Sequence, residues 1–209
     1  MSGQPIGEVQ RWADAAQYRS EPMPMGGKLT VKLLSATEDP LGVVAALCGM
    51  YSGRVSRNLS EVTDAQRREA FADMQATVLN GPLSAVQFVF LVEGADRSLT
   101  HQAVRQQAAF FAQESLRFAV KEGWATDVPL PPHLAGLTED DPQVRIWRKA
   151  LIAVEDAYAA LVHAGVPAEE ARGLLPEAVL TRYYWVTNLK GLLIEAPLDA
   201  TTGAPVVQA

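Results

Sequence analysis

Two spacings of apolar residues alternate along the chain. From Lys28 to Leu34 the period is two, with Leu29, Val31 and Leu33 on one side, which predicts a strand. Thr37-Glu38-Asp39-Pro40 then reads as a helix start, with proline near the first turn and acids facing the positive end, and the helix runs from Leu41 to Tyr51. A second helix is expected over Thr63 to Leu79, capped by Thr63, with Ala70, Phe71, Met74 and Val78 as its buried stripe. Asn80-Gly81-Pro82 breaks the pattern, and the nearly all-apolar run Val86 to Val92 reads as a buried strand.

A helix is predicted between Leu99 and Phe111. Gly123 to Leu137 holds Pro129, Pro131 and Pro132 and reads as a loop. Asp140-Asp141-Pro142 opens the longest helix, to about Ala164, with Gly165 closing it. Val144, Trp147, Leu151, Val154, Tyr158 and Leu161 form one apolar stripe on it, fit for a core or a subunit interface. Pro167 to Leu175 reads as a short helix, Val179 to Val186 as a strand, and Thr187 as the cap of a last helix through Glu195. Residues 1–27 read as an arm, with one short helix near Val9–Tyr18. Residues 28–198 read as a single domain, and residues 199–209 as a loose tail.

Composition narrows the class. A chain of 209 residues that is 48% apolar and 20% charged is globular, of one-domain size. A net charge of -6 argues against a general nucleic-acid binder and suits a small anionic ligand held in a local basic pocket. Cys48 is the single cysteine, so no disulfide forms within the chain. Its apolar neighbours mark it as a small core residue. His133 lies in the proline-rich loop without a second histidine or cysteine at metal-ligand spacing, so no metal is expected. The chain begins without a basic-then-apolar leader, and no apolar run reaches membrane-spanning length; a cytoplasmic protein is the expectation.

Candidate chemistry concentrates in Glu93 to Phe118. On the expected helix His101, Arg105 and Ala108 share one face, and Gln102 and Gln106 the next. Ser115 and Arg117 follow in a loop or extended segment, where residues two apart point the same way, so a hydroxyl and a guanidinium reach one phosphate. By spacing alone the same residues also make an ordinary solvated face. For Arg172 the competing reading is a surface salt bridge with Glu169.

The order of these residues resembles the flavin-dependent thymidylate synthases. That family's signature is Arg-His-Arg, seven residues, Ser, and commonly Arg and Tyr two and three places later. Here Arg105-Gln106-Gln107 is followed by seven residues, Ser115, then Arg117 and Phe118. Glu93-Gly94, His101-Gln102, Ala171-Arg172-Gly173-Leu174-Leu175-Pro176 and Thr187-Asn188-Leu189-Lys190 extend the likeness over about Lys28 to Leu198. The resemblance implies an α/β (α+β) fold, with a central, mostly antiparallel sheet packed with helices and one long helix, in a homotetramer with shared active sites. It implies reductive methylation of dUMP to dTMP, with reduced FAD as cofactor and methylenetetrahydrofolate and NADPH as co-substrates. The chemistry would be borne by the flavin, with no secure catalytic side chain; Ser115, in the signature position, is read as a phosphate ligand. Gln102, Arg105, Ser115, Arg117 and Arg172, with Glu114 close by, would bind dUMP, and Arg105, Gln106, Gln107 and Asn188 would bind FAD.

The chain departs from that pattern on the flavin side. Gln106 and Gln107 stand where the family has His and Arg, Ser84-Ala85 where it has Glu-His, Ala112 where it has Asn, and Ile194 and Asp199 where it tends to have Asn and Arg. Losing about three polar contacts would cost roughly 3–6 kcal/mol of flavin binding. Three readings follow: a divergent enzyme acting on dUMP or another pyrimidine nucleotide, a nucleotide-binding homologue without flavin or turnover, and a structural subunit.

Overall fold

The computed structural model describes residues 18–23, 27–78 and 80–195. Its elements, in chain order, are β1 (Tyr18–Arg19), β2 (Thr30–Ala36), α1 (Pro40–Tyr51), α2 (Asp64–Ala76), β3 (Gln87–Asp96), α3 (Arg97–Ala103), β4 (Ala109–Gln113), β5 (Ala119–Val120), α4 (Pro142–His163), α5 (Ala168–Ala171) and β6 (Leu180–Asn188). Short 3-10 turns cover Leu59–Glu61, Gly81–Ala85 and Arg172–Leu174, and a π-helical turn covers Gly191–Glu195. The fold is mixed α/β, with a four-stranded antiparallel sheet in the order β2-β3-β6-β4 and one long helix, α4. Bonds flanking the strands set the register: Thr37 N–H to the Gln87 carbonyl, Arg97 N–H to that of Glu177, and Glu114 N–H to that of Arg182. β1 and β5 form a separate parallel pair, Tyr18 opposite Ala119 and Arg19 opposite Val120. Except for Tyr18, the expected arm helix lies outside the described residues, as does the tail.

The described residues divide into two compact units: those of Met1–Thr30, Val92–His101 and Gln113–Tyr183, and those of Val31–Leu91, Gln102–Ala112 and Tyr184–Ala209. In the first unit, α4 lays its apolar stripe into two clusters. Leu151 packs with Leu116, Trp124, Val128, Val179 and Leu180, and Tyr158 packs with Val120, Ala168 and Ala171. Val144, Leu151 and Tyr158 are buried, whereas Leu161, the last of the stripe, is exposed. Gly165 takes φ 89° just past the helix, the left-handed turn expected of a closing glycine.

In the second unit, α1 and α2 pack around Val44, Ala45, Val62, Ala70, Met74, Leu83 and Val86. Asp39 caps α1 in the left-handed conformation and accepts from Gly42 N–H at 2.9 Å. The Arg67 guanidinium on α2 reaches the same carboxylate at 2.7 and 3.2 Å, tying the two helices together. Thr63 and Gln66 form a complete capping box on α2. Cys48 is half-buried against this core and lines a cleft with Arg54, Glu69 and Asp73. Burial, then Asp73, pushes its thiol pKa up, which keeps it protonated.

The strand expected over Lys28 to Leu34 does form, as β2, with Val31, Leu33 and Leu34 exposed. Three expectations fail. α2 ends at Ala76, so Val78 lies past it and is exposed instead of completing the stripe. The helix expected to Phe111 stops at Ala103, because Ala109–Gln113 pairs as an outer strand beside β6 and pairing overrides propensity. Finally, Thr187 remains in β6 with its hydroxyl on the Ala108 carbonyl, and Asn188 Oδ1 accepts from Gly191 N–H in the capping role expected of Thr187.

Candidate functional site

Two pieces of the first unit meet at Glu169. Residues 115–119 turn tightly, with the N–H groups of Phe118 and Ala119 both donating to the Ser115 carbonyl at 3.2 and 2.9 Å. Of the loop and the extended segment that the sequence allows here, this is the loop. The Ser115 hydroxyl oxygen accepts from Arg117 N–H at 3.3 Å, which leaves its own proton to donate elsewhere. Arg117 reaches across to α5, where its Nε and Nη2 donate to Oε2 of Glu169 at 3.2 and 3.0 Å. Arg172, one turn further on, donates its Nε to the Glu169 backbone carbonyl at 3.0 Å. Glu169 therefore holds both guanidinium groups, one by its side chain and one by its main chain.

The buried Ala168 and Ala171 explain the placement. They anchor the inner side of α5 against Val120 and Tyr158, which turns Glu169 and Arg172 outward. The Arg117–Glu169 pair is about half exposed, 54% and 49%, so it contributes only about 0.2–1 kcal/mol. Among the described residues, Nη1 of Arg117 and both terminal nitrogens of Arg172 have no protein partner. Together with the Ser115 hydroxyl they form a cationic donor set suited to a phosphate.

Glu114 behaves differently from its neighbours. Its carboxylate pairs with Lys121 Nζ at 2.5 Å, and the lysine side chain is 3% exposed. Burial lowers the Lys121 pKa, while Glu114 acts to raise it; Arg182 and Arg97 add to the lowering. This pair was not evident from the sequence, where a lysine six residues after a serine signals nothing. It commits Glu114 to bracing the turn. Glu93 faces Arg182 at 3.6 Å, and Arg182 also donates to the carbonyls of Glu21 and Pro22. Gly94 takes φ 75°, and a Cβ there would stand 2.5 Å from the Lys28 carbonyl oxygen, so only glycine fits.

The signature residues 102–107 belong to the second unit. His101, on the first, and Gln102 sit exposed at the end of α3. Arg105 and Gln107 are exposed in the following turn, while Gln106 is half-buried. The Gln106 amide is used at both ends: Oε1 accepts from Trp185 Nε1–H at 3.0 Å, and Nε2 donates to the Gly191 carbonyl at 3.3 Å. Trp185 in turn stacks on Phe90, centroids 5.2 Å apart, and Phe90 on Phe88. With Asn188 occupied by Gly191, two of the four residues the likeness assigns to flavin are bound to their own chain. Among the described residues, the side chains of Arg105 and Gln107 retain open donors. Ser84 and Ala85 lie in the 3-10 turn before β3, and the Ser84 carbonyl accepts from Gln87. Among the described residues no group of three or more His, Cys, Asp or Glu is placed to hold a metal ion.

Residues 32–204 match the family described as "Thymidylate synthase complementing protein". The chain belongs to this family. It is 31% identical over 169 residues to the flavin-dependent thymidylate synthase of Geobacter sulfurreducens, covering 79% of this chain and 71% of the relative. With the flavin-dependent thymidylate synthase of Nitratidesulfovibrio vulgaris the identity is 29% over 175 residues, covering 78% and 71%. Among solved structures, the UMP/dUMP methylase PolB of Streptomyces cacaoi bound with 5-Br dUMP superposes with a TM-score of 0.58 at 21% identity, over 78% of this chain and 74% of that one. Its complex with 5-Br UMP gives 0.56 at 22%, over 78% and 73%. Both show the shared fold. Among the described residues no helix is long and apolar enough to cross a membrane.

Proposed function

We propose that the chain binds a pyrimidine nucleoside monophosphate by its phosphate and methylates the uracil ring reductively, converting dUMP to dTMP. The observation that carries this reading is that Arg117 and Arg172 both donate to Glu169 of α5, while the Ser115 hydroxyl sits in the same tight turn as Arg117 and accepts from its N–H. Two guanidinium groups and a hydroxyl meet a phosphate dianion with charge-assisted bonds of about 1.5–3 kcal/mol each. In this reading Glu114 and Lys121 hold the turn that presents Ser115 and Arg117, and Glu114 does not itself touch the nucleotide.

Arg105 and Gln107 carry the open donors for a flavin dinucleotide, Arg105 being the group suited to its phosphates. When bound, reduced FAD would supply the hydride, with methylenetetrahydrofolate as the carbon source and NADPH as the reductant. Gln106 contributes indirectly: its amide fixes Trp185 and the start of the closing turn.

Calorimetric titration with dUMP tests the phosphate assignment. Arg117→Ala and Arg172→Ala are each expected to weaken binding by about ten- to a hundredfold; unchanged affinity in both would defeat it. Formation of dTMP by the protein supplied with FAD, NADPH and methylenetetrahydrofolate tests the reaction. A second reading, in which UMP is also accepted, is favoured by the likeness to a methylase solved with both brominated nucleotides. A third, nucleotide binding without flavin, is favoured by the engagement of Gln106 and Asn188 with Gly191, and the visible absorption of the protein after addition of FAD separates it from the first.

A further inference from the structure

We infer that Glu169 stands in for the nucleotide phosphate in the ligand-free protein, so that its carboxylate competes with the substrate for Arg117. The inference rests on the phosphate reading above and adds the residue that sets the affinity of that site.

The contact has the form a phosphate oxygen would take. One oxygen, Oε2, accepts from both Nε and Nη2 of Arg117, the side edge of the guanidinium that carboxylates and phosphates share. That edge accommodates one anion at a time. Glu169 is held in place from beneath, because Ala168 and Ala171 on either side are buried, so its carboxylate stays within reach after it is displaced. The same residue's carbonyl orients Arg172, and that bond involves no side-chain atom of Glu169. Removing the charge therefore leaves the Arg172 anchor intact.

Two consequences follow for binding. Arg117 is already ordered across the gap to α5, so less freedom is lost when phosphate arrives. Against that, each binding event must break an ion pair and then place a phosphate dianion near the freed carboxylate. Because the pair is half exposed, it yields to a dianion and discriminates against weaker anions.

The test is calorimetric titration of the full chain with dUMP, comparing the wild type with Glu169→Gln and Glu170→Gln. Glu170 lies on the same helix and makes no ion pair with Arg117, so its variant removes equal charge without touching the contact. Glu169→Gln is expected to tighten dUMP about two- to fivefold, with little change for Glu170→Gln and none for deoxyuridine, which lacks the phosphate. Equal tightening by both variants would assign the effect to overall charge and overturn the inference. Unchanged or weaker dUMP binding by Glu169→Gln would overturn it as well. Arg117→Ala separates the two levels: if it weakens dUMP while Glu169→Gln does nothing, only the competition is wrong. If Arg117→Ala leaves dUMP binding unaltered, or the wild type binds no dUMP, the phosphate reading falls and takes the inference with it.

Discussion

Gln106 shows how far a side chain's role can sit from the role its position suggests. The signature places it where the family has a histidine, and the structure has its amide bridging Trp185 and the Gly191 carbonyl. Gln106→Ala would strand a half-buried indole N–H and a carbonyl, so a loss of about 1–3 kcal/mol is expected in urea denaturation. A loss below a few tenths would mean that solvent replaces the amide. Gln107 is exposed, so Gln107→Arg should tighten FAD without affecting stability, measured by flavin fluorescence quenching, and should do so more than Gln106→His. Equal gains from the two changes would place both side chains at the cofactor. The nucleotide-side residues were legible as residue types in order. Their partners were not: nothing in the spacing of Glu169 or Lys121 reveals that one takes Arg117 and the other Glu114, because those contacts join segments 52 and 7 residues apart.

Elements with strong local signals formed as expected. Asp39-Pro40 starts α1, Thr63 and Gln66 start α2, and the stripe on α4 is buried at Val144, Leu151 and Tyr158. The failures came where long-range pairing decides, as at β4, where a short apolar run suits a helix or a strand equally well. The Asp39 cap has its own pH signature. Its bond to Arg67, then that to Gly42, lowers the carboxyl pKa below its ordinary value near 3.8. A carboxylate with a depressed folded pKa contributes stability above its unfolded value, and loses it as pH falls through the folded one. The wild type should therefore lose stability below about pH 3.8 partly through this group. Asp39→Asn, which keeps the cap acceptor, should be less stable at pH 7 and show a shallower acid decline. Parallel acid limbs in urea titrations at pH 7 and pH 3 would exclude the pair as a contributor.

At the scale of the whole molecule, the open faces of β2 matter most. Val31 and Leu33 lie two apart on one face of the strand, yet each is about half exposed, at 58% and 52%. A strand so apolar and so uncovered at the sheet's edge is an invitation to association. A second copy of the chain is the occupant we expect, in keeping with the homotetramer that the family resemblance implies. Light scattering after size exclusion should give a multiple of the 22.6 kDa chain, and Val31→Lys should lower it. A monomer at micromolar concentration would remove this face from the argument. The sequence carried the alternation, but a single chain's pattern cannot distinguish burial under its own helices from burial under a neighbour.

Arg182 has a consequence for where the chain can be cut. From within β6 it grips Glu21, Pro22 and Met23, and its Nε is already buried without a partner. Trimming the protein back to residue 27 would remove every one of those acceptors and leave Glu93 to face the guanidinium alone. What looks in the sequence like a dispensable leading strip is, over those three residues, the lining of a cation's socket.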